Sequence, residues 1–162
     1  MTTIGIDVGA TELVLAIRHK KTVEKTKTFA NNANDHQAIN KLCLKYQKYG
    51  KVRIAIESTG SYHFDLAVAL TDSDKNEVMV INPRATHSFA QADMKRNKTD
   101  KVDAETLALF AEKMDYPLWK RPSDDVIQLR YISRSITSYV VDKTKTSNHL
   151  HAFKSCSKTP HT

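Results

Sequence analysis

"TIGIDVG", residues 3–9, sets an aspartate inside an apolar, β-favouring run that stops at a glycine. Seven residues of this kind read as a strand and a turn, and "ELVLAIR" (12–18) answers it as the second arm of a hairpin. "TVEKTKTFA" (22–30) spaces Val23 and Phe29 among Lys and Thr, the pattern of a third, more exposed strand. A charge within "IGIDVG" is costly unless it is paired or liganded, so Asp7 is either a turn residue or part of a site.

The chain continues with helices and buried strands in alternation. In "NDHQAINKLCLKYQKYG" Asn34 is the expected N-cap, Ile39, Leu42, Cys43 and Tyr46 form one stripe, and Gly50 ends the helix. "VRIAIE" (52–57) is a short apolar run of the kind buried in a parallel sheet, again closed by an acid, Glu57. "STGSYHFDLAVAL" turns into a helix, and "EVMVIN" is another buried strand, stopped by Pro83. Residues 84–93 read as a short helix, followed by the basic loop "MKRNKT" and a helix opening at "DKVDAETLALFA". A three-stranded meander followed by βαβ crossovers predicts an α/β fold with a mixed five-stranded sheet flanked by helices, the ribonuclease H-like arrangement.

Asp100 and Asp103 stand three apart at the mouth of that last helix. Capping by Thr99 or Asp100, with acids favoured by the helix dipole, is one explanation. The other is a cation between them. In the expected sheet the strands bearing Asp7 and Glu57 are neighbours, so all four acids converge if the helix packs across that end. Four such carboxylates repel unless divalent cations neutralise them, which makes Mg²⁺ or Mn²⁺ the expected cofactor.

Composition is that of a globular chain: 162 residues, 40% hydrophobic and 27% charged, with a net charge of +7. No apolar run approaches the roughly 20 residues that span a bilayer. The start lacks a signal-peptide pattern, and Cys43 and Cys156 lack metal-ligand spacing, so a reduced cytoplasmic protein is expected. Residues 1–115 carry 17 Lys+Arg against 15 Asp+Glu, whereas residues 116–162 carry 8 against 3. The second excess points to a nucleic-acid partner. Residues 124–153 form one long helical pattern whose apolar stripe predicts a seam to another helix or a second copy. The expected organisation is a domain over 1–115, a linker over 116–123, the long helix over 124–153 and a disordered tail over 154–162.

"GIDVGATELVLAI", "AIESTGSYH", "VINPRATHSFAQADMKRNKTDKVDAETLALFA" and "LRYISRSITSYVVDKTKTSNHLHAF" resemble, in that order, the N-terminal half of the DEDD transposases of the IS-one-ten insertion-sequence type. The resemblance implies a RuvC-like catalytic domain of a bridge-RNA-guided recombinase, with the acidic tetrad at Asp7, Glu57, Asp100 and Asp103. It also implies DNA and a guide RNA as partners, and a long helix that dimerises and contacts RNA. The expected nucleic-acid contacts are Lys95, Arg96 and Lys98 beside the acids, and Arg130, Arg134, Lys143 and Lys145 on the long helix. The family's serine-bearing second half has no counterpart here, so recombination by this chain alone is expected to be incomplete. The alternatives are a non-catalytic nucleic-acid-binding or dimerising fragment, and a stand-alone RuvC-like junction nuclease.

Overall fold

The computed structural model describes residues 1–71, 73–93 and 99–156, and divides into two compact units, Met1–Arg121 and Pro122–Thr162. The first unit is built on five strands, β1 (Thr2–Val8), β2 (Glu12–His19), β3 (Thr22–Ala30), β4 (Val52–Glu57) and β5 (Asn76–Ile81), in the order β3-β2-β1-β4-β5. β1, β2 and β3 pair antiparallel as a meander, and β4 and β5 add parallel to β1. The β2–β3 turn is tight enough to hold Lys20 and Lys21 both at positive φ, 50° and 70°. Two-residue turns that follow the twist of the strands require that conformation.

Strand alternation sorts the side chains onto two faces. Ile4, Ile6, Leu13, Leu15, Ile17, Ile54 and Ile56 point to one side, where they pack with Ile39 and Cys43 of α1 (Ala33–Tyr46) and Leu66, Ala67 and Leu70 of α2 (Phe64–Leu70). On the other side Ala55, Met79 and Ile81 meet Leu107, Phe110 and Ala111 of α4 (Asp100–Lys113), with Ala85 and Phe89 of α3 (Pro83–Ala92) against them. Near-continuous apolar runs in β1 and β4 follow from burial on both faces.

Residues after α4 stay with this unit. The Trp119 backbone N–H donates to the Val78 carbonyl on the outer edge of β5 (2.7 Å), and its ring stands edge-on to Phe64 at 6.0 Å. The cap of α1 is Asn32, not the expected Asn34. The Asn32 side chain accepts from the Asp35 N–H (2.9 Å), and the Asp35 carboxylate accepts from the Ala30 N–H (2.7 Å). That reciprocal pair selects one asparagine over another two residues away.

The second unit consists mainly of α5 (Asp124–Cys156), 33 residues and about 50 Å long at 1.5 Å per residue. It reaches three residues beyond the expected end, so Lys154–Cys156, expected in a disordered tail, are helical; residues 157–162 lie outside those described. Leu129, Ile132, Ile136 and Tyr139 are all more than half exposed, and Ile127 is the buried apolar residue of the helix.

Candidate active site

Asp7 and Glu57 occupy equivalent places on adjacent parallel strands, one step past the paired Ile6 and Ile56. Asp7 shares its side of β1 with Gly5, and Glu57 shares its side of β4 with Ala55, so both acids project toward the face that α3 and α4 cover. They stand at the carboxyl ends of their strands, where open α/β sheets habitually bind ligands.

Gly5 brings α4 to them. A Cβ at Gly5 would collide with the Ala104 carbonyl oxygen and the Ala108 nitrogen, and would lie 2.8 Å from Leu107 Cβ. The helix backbone therefore lies directly on β1, with its first turn toward the Asp7 end. Farther along, Arg18 of β2 holds Glu112 of α4 at 3.0 Å, fixing the opposite end of the helix. A strand glycine of this kind marks a close backbone approach.

The cap of α4 is Thr99, whose hydroxyl accepts from the Val102 N–H (3.2 Å). Thr99 is one of the two caps expected, and Asp100 and Asp103 lie in the first turn, where the helix dipole favours acids. Their charges also act on Asp7. Its carboxyl is pushed up to about 6, first by burial and then by the charges of Asp100, Asp103 and Glu57. The other three sequence-selected acids are therefore within electrostatic reach of Asp7. As placed, no three acidic, histidine or cysteine side chains among the described residues are close enough together to grip one ion.

Glu57 is half-buried and accepts from the Thr86 hydroxyl of α3 (3.0 Å), which fixes one carboxylate oxygen. A second device joins the segments that follow the two strand acids. Asn31 Nδ2 donates to the Gly9 carbonyl (2.9 Å), just after Asp7, and to the Tyr62 carbonyl (3.3 Å), in the loop after Glu57. Asn31 Oδ1 in turn accepts from His36 Nε2 (2.7 Å). Both amide atoms being engaged sets the orientation of the Asn31 side chain and makes His36 Nε2 the protonated nitrogen. Burial holds the His36 imidazole below its ordinary range, against the pull of Asp65 and Asp35. Gly5, Thr86 and Asn31 escaped the sequence reading, because each acts through a partner far away in the chain.

Of the expected nucleic-acid contacts, Lys95, Arg96 and Lys98 lie outside the described residues. Arg130, Lys143 and Lys145 are exposed on α5, and Arg134 is half-buried. No helix among the described residues is long and apolar enough to cross a membrane.

Comparison with known proteins agrees with this architecture. A family model described as "Transposase", that of the DEDD transposases of the IS-one-ten type, matches residues 4–153. The pilin gene-inverting proteins of Moraxella bovis and Moraxella lacunata are each 33% identical over 132 residues, covering 79% of this chain. The chain spans 39% of the length of those relatives. Among solved structures, Thermus thermophilus RuvC in complex with a Holliday junction substrate superposes with a TM-score of 0.51 at 13% identity, covering 74% of this chain and 99% of that one. That likeness establishes a RuvC-like fold. With the family matched over nearly its whole described length, the chain belongs to the DEDD transposases of the IS-one-ten type.

Proposed function

We propose that this chain forms the metal-dependent part of a DNA transposase, in which Asp7, Glu57, Asp100 and Asp103 together hold Mg²⁺ or Mn²⁺ at the DNA being recombined. The observation that supports this reading is that Asp100, Asp103 and Glu57 all act on the charge of Asp7, at the end of the sheet face where Gly5 lets α4 lie on β1. An all-oxygen donor set of this charge suits a hard divalent cation. Bound there, such ions would neutralise the acids and clamp the attacking and leaving oxygens of a phosphodiester. Thr86 would keep Glu57 oriented, and the Asn31 bridge would keep the two strand ends in register. DNA is the proposed substrate, and strand exchange would need a serine-bearing partner domain such as the family resemblance implies. A guide RNA and a second copy along α5 are the further partners that reading brings.

The exposed apolar stripe of α5 favours a second reading, a non-catalytic nucleic-acid-binding or dimerising fragment that keeps the fold. A metal titration separates the two. At 100 times its dissociation constant, a single bound ion should stabilise the fold by about 2.7 kcal/mol. Asp7→Asn and Asp103→Asn should each abolish most of that gain. If the melting temperature of the parent does not move with Mg²⁺ or Mn²⁺, the metal reading fails and the binding fragment stands.

A further inference from the structure

Charge is far more concentrated in one part of the first unit than the chain's halves suggest. Residues 18–53 carry ten Lys and Arg against two Asp and Glu, a net +8, more than the +7 of the entire chain. Three of the ten are engaged: Arg18 with Glu112, and Lys51 and Arg53 with Glu77, each at 3.0 Å. The lysines that remain make no ion pair among the described residues, and most of them gather at one end of the sheet.

That end is set by His19, the last residue of β2. Its ring lies 4.8 Å from Tyr49 and 6.5 Å from Tyr46, so the turn that follows α1 is stacked against the β2–β3 turn. Lys20 and Lys21 form that turn, with Arg18 Nη2 donating to the Lys21 carbonyl (2.8 Å). Lys48 Nζ sits over the Tyr49 ring at 4.8 Å. Lys41 and Lys45 are exposed four apart on α1, and Lys48 is exposed in the turn that follows it. Like charges at such spacing weaken a helix. Of the acids nearby, Glu24 accepts from the Tyr46 hydroxyl (3.4 Å) and Glu112 is held by Arg18.

We infer that Lys20, Lys21, Lys45 and Lys48 form a preorganised binding surface for the phosphodiester backbone of a nucleic acid. It lies at the amino ends of β1 and β4, about 17 Å along β1 from Asp7. A strand held there is not the strand at the acids, so the unit would grip nucleic acid at two separate places. The two turns are fixed by ring stacking and backbone bonds, so little ordering remains to be done on binding. The inference does not depend on the metal reading.

The test is fluorescence anisotropy of the full chain in EDTA, with a duplex DNA, a single-stranded DNA and an RNA hairpin of equal charge. The variant carries Lys20→Gln, Lys21→Gln, Lys45→Gln and Lys48→Gln. All four positions are exposed, so it should melt as the parent does. A control with the same loss of charge, at exposed positions away from that end of the sheet, carries Arg84→Gln, Lys101→Gln, Lys113→Gln and Lys120→Gln. Each duplex phosphate neutralised contributes about 0.9 log units of affinity per tenfold change in salt. With four contacts, the parent should lose roughly 100-fold more affinity than the variant between 50 and 200 mM salt, and the control should follow the parent. The ligand with the largest difference is the one the surface holds. Parent-like salt dependence of the variant on all three ligands, or an equal loss in the control, overturns the inference.

Discussion

Asp7→Asn isolates the charge at the centre of the acid cluster. The Asp7 carboxyl is raised from its ordinary 3.8 to about 6, chiefly by burial and then by Asp100, Asp103 and Glu57. A carboxyl that holds its proton more tightly in the folded state costs stability wherever it must ionise. Below pH 3.8 both states are protonated and the cost is absent; it grows as pH rises toward 6 and is constant above. Taken at full value, a shift of about two units corresponds to roughly 3 kcal/mol. Asp7 is only partly buried, and solvent screening lowers that to about 1–2 kcal/mol. Asparagine keeps the shape and never ionises. In EDTA, Asp7→Asn should therefore be more stable than the parent at pH 7.5 by about 1–2 kcal/mol, a few degrees of melting temperature for a chain of this size. The advantage should vanish between pH 6 and 4. Saturating Mg²⁺ should reverse the order, because only the parent keeps the full set of ligands. Thermal melts of both proteins from pH 4 to 8, with and without Mg²⁺, measure each part. A difference between them that stays flat across that range would show that Asp7 does not sense its neighbours as argued.

Three further perturbations test the supports of the site. Gly5→Ala puts a methyl group into the α4 backbone, and should cost on the order of 3 kcal/mol or prevent folding; an unchanged urea midpoint would mean that α4 does not lie on β1. Asn31→Leu removes the bridge between the Gly9 and Tyr62 carbonyls and leaves His36 Nε2 without its acceptor. It should cost about 1–2 kcal/mol and weaken Mg²⁺ binding by calorimetry, whereas a loss of stability with unchanged metal affinity would make the bridge structural only. Ile136→Asp, on the exposed apolar stripe of α5, should lower the self-association measured by sedimentation equilibrium without shifting the melt of the first unit; a parent that is monomeric at high concentration would refute a seam between copies.

The strands and the acids were legible because each violates a local expectation in a readable way. An aspartate inside "TIGIDVG" and a glutamate closing "VRIAIE" are expensive unless something repays them, and both lie at the carboxyl end of a buried strand. Asp100 and Asp103 were ambiguous, since helix caps favour the same residues. Thr99 takes the cap, and the added sign of a site is the action of both acids on the Asp7 carboxyl. Gly5 could not be read in advance, because its role depends on where α4 crosses β1, and no local pattern carries a crossing point. Asn31 and Thr86 were invisible for the same reason: their partners lie 31 and 29 residues away.

Charge counted by halves conceals a second basic concentration beside that of residues 116–162. The acids on either side of residues 18–53 offset their lysines, so the first 115 residues sum to near neutrality. Folding undoes that cancellation. The parallel pairing of β1 and β4 sends Asp7 and Glu57 to one end of the sheet, while the β2–β3 turn and the end of α1 bring lysines to the other. The physical consequence is an opposition between the two ends. On the readings proposed above, a polyanion would be attracted to the lysine end at a distance and repelled from the acid end until cations occupied it. Salt should therefore govern the first encounter and divalent metal the second. Both readings together predict a ligand held in EDTA at the lysine end and admitted to the acids only once Mg²⁺ or Mn²⁺ is added.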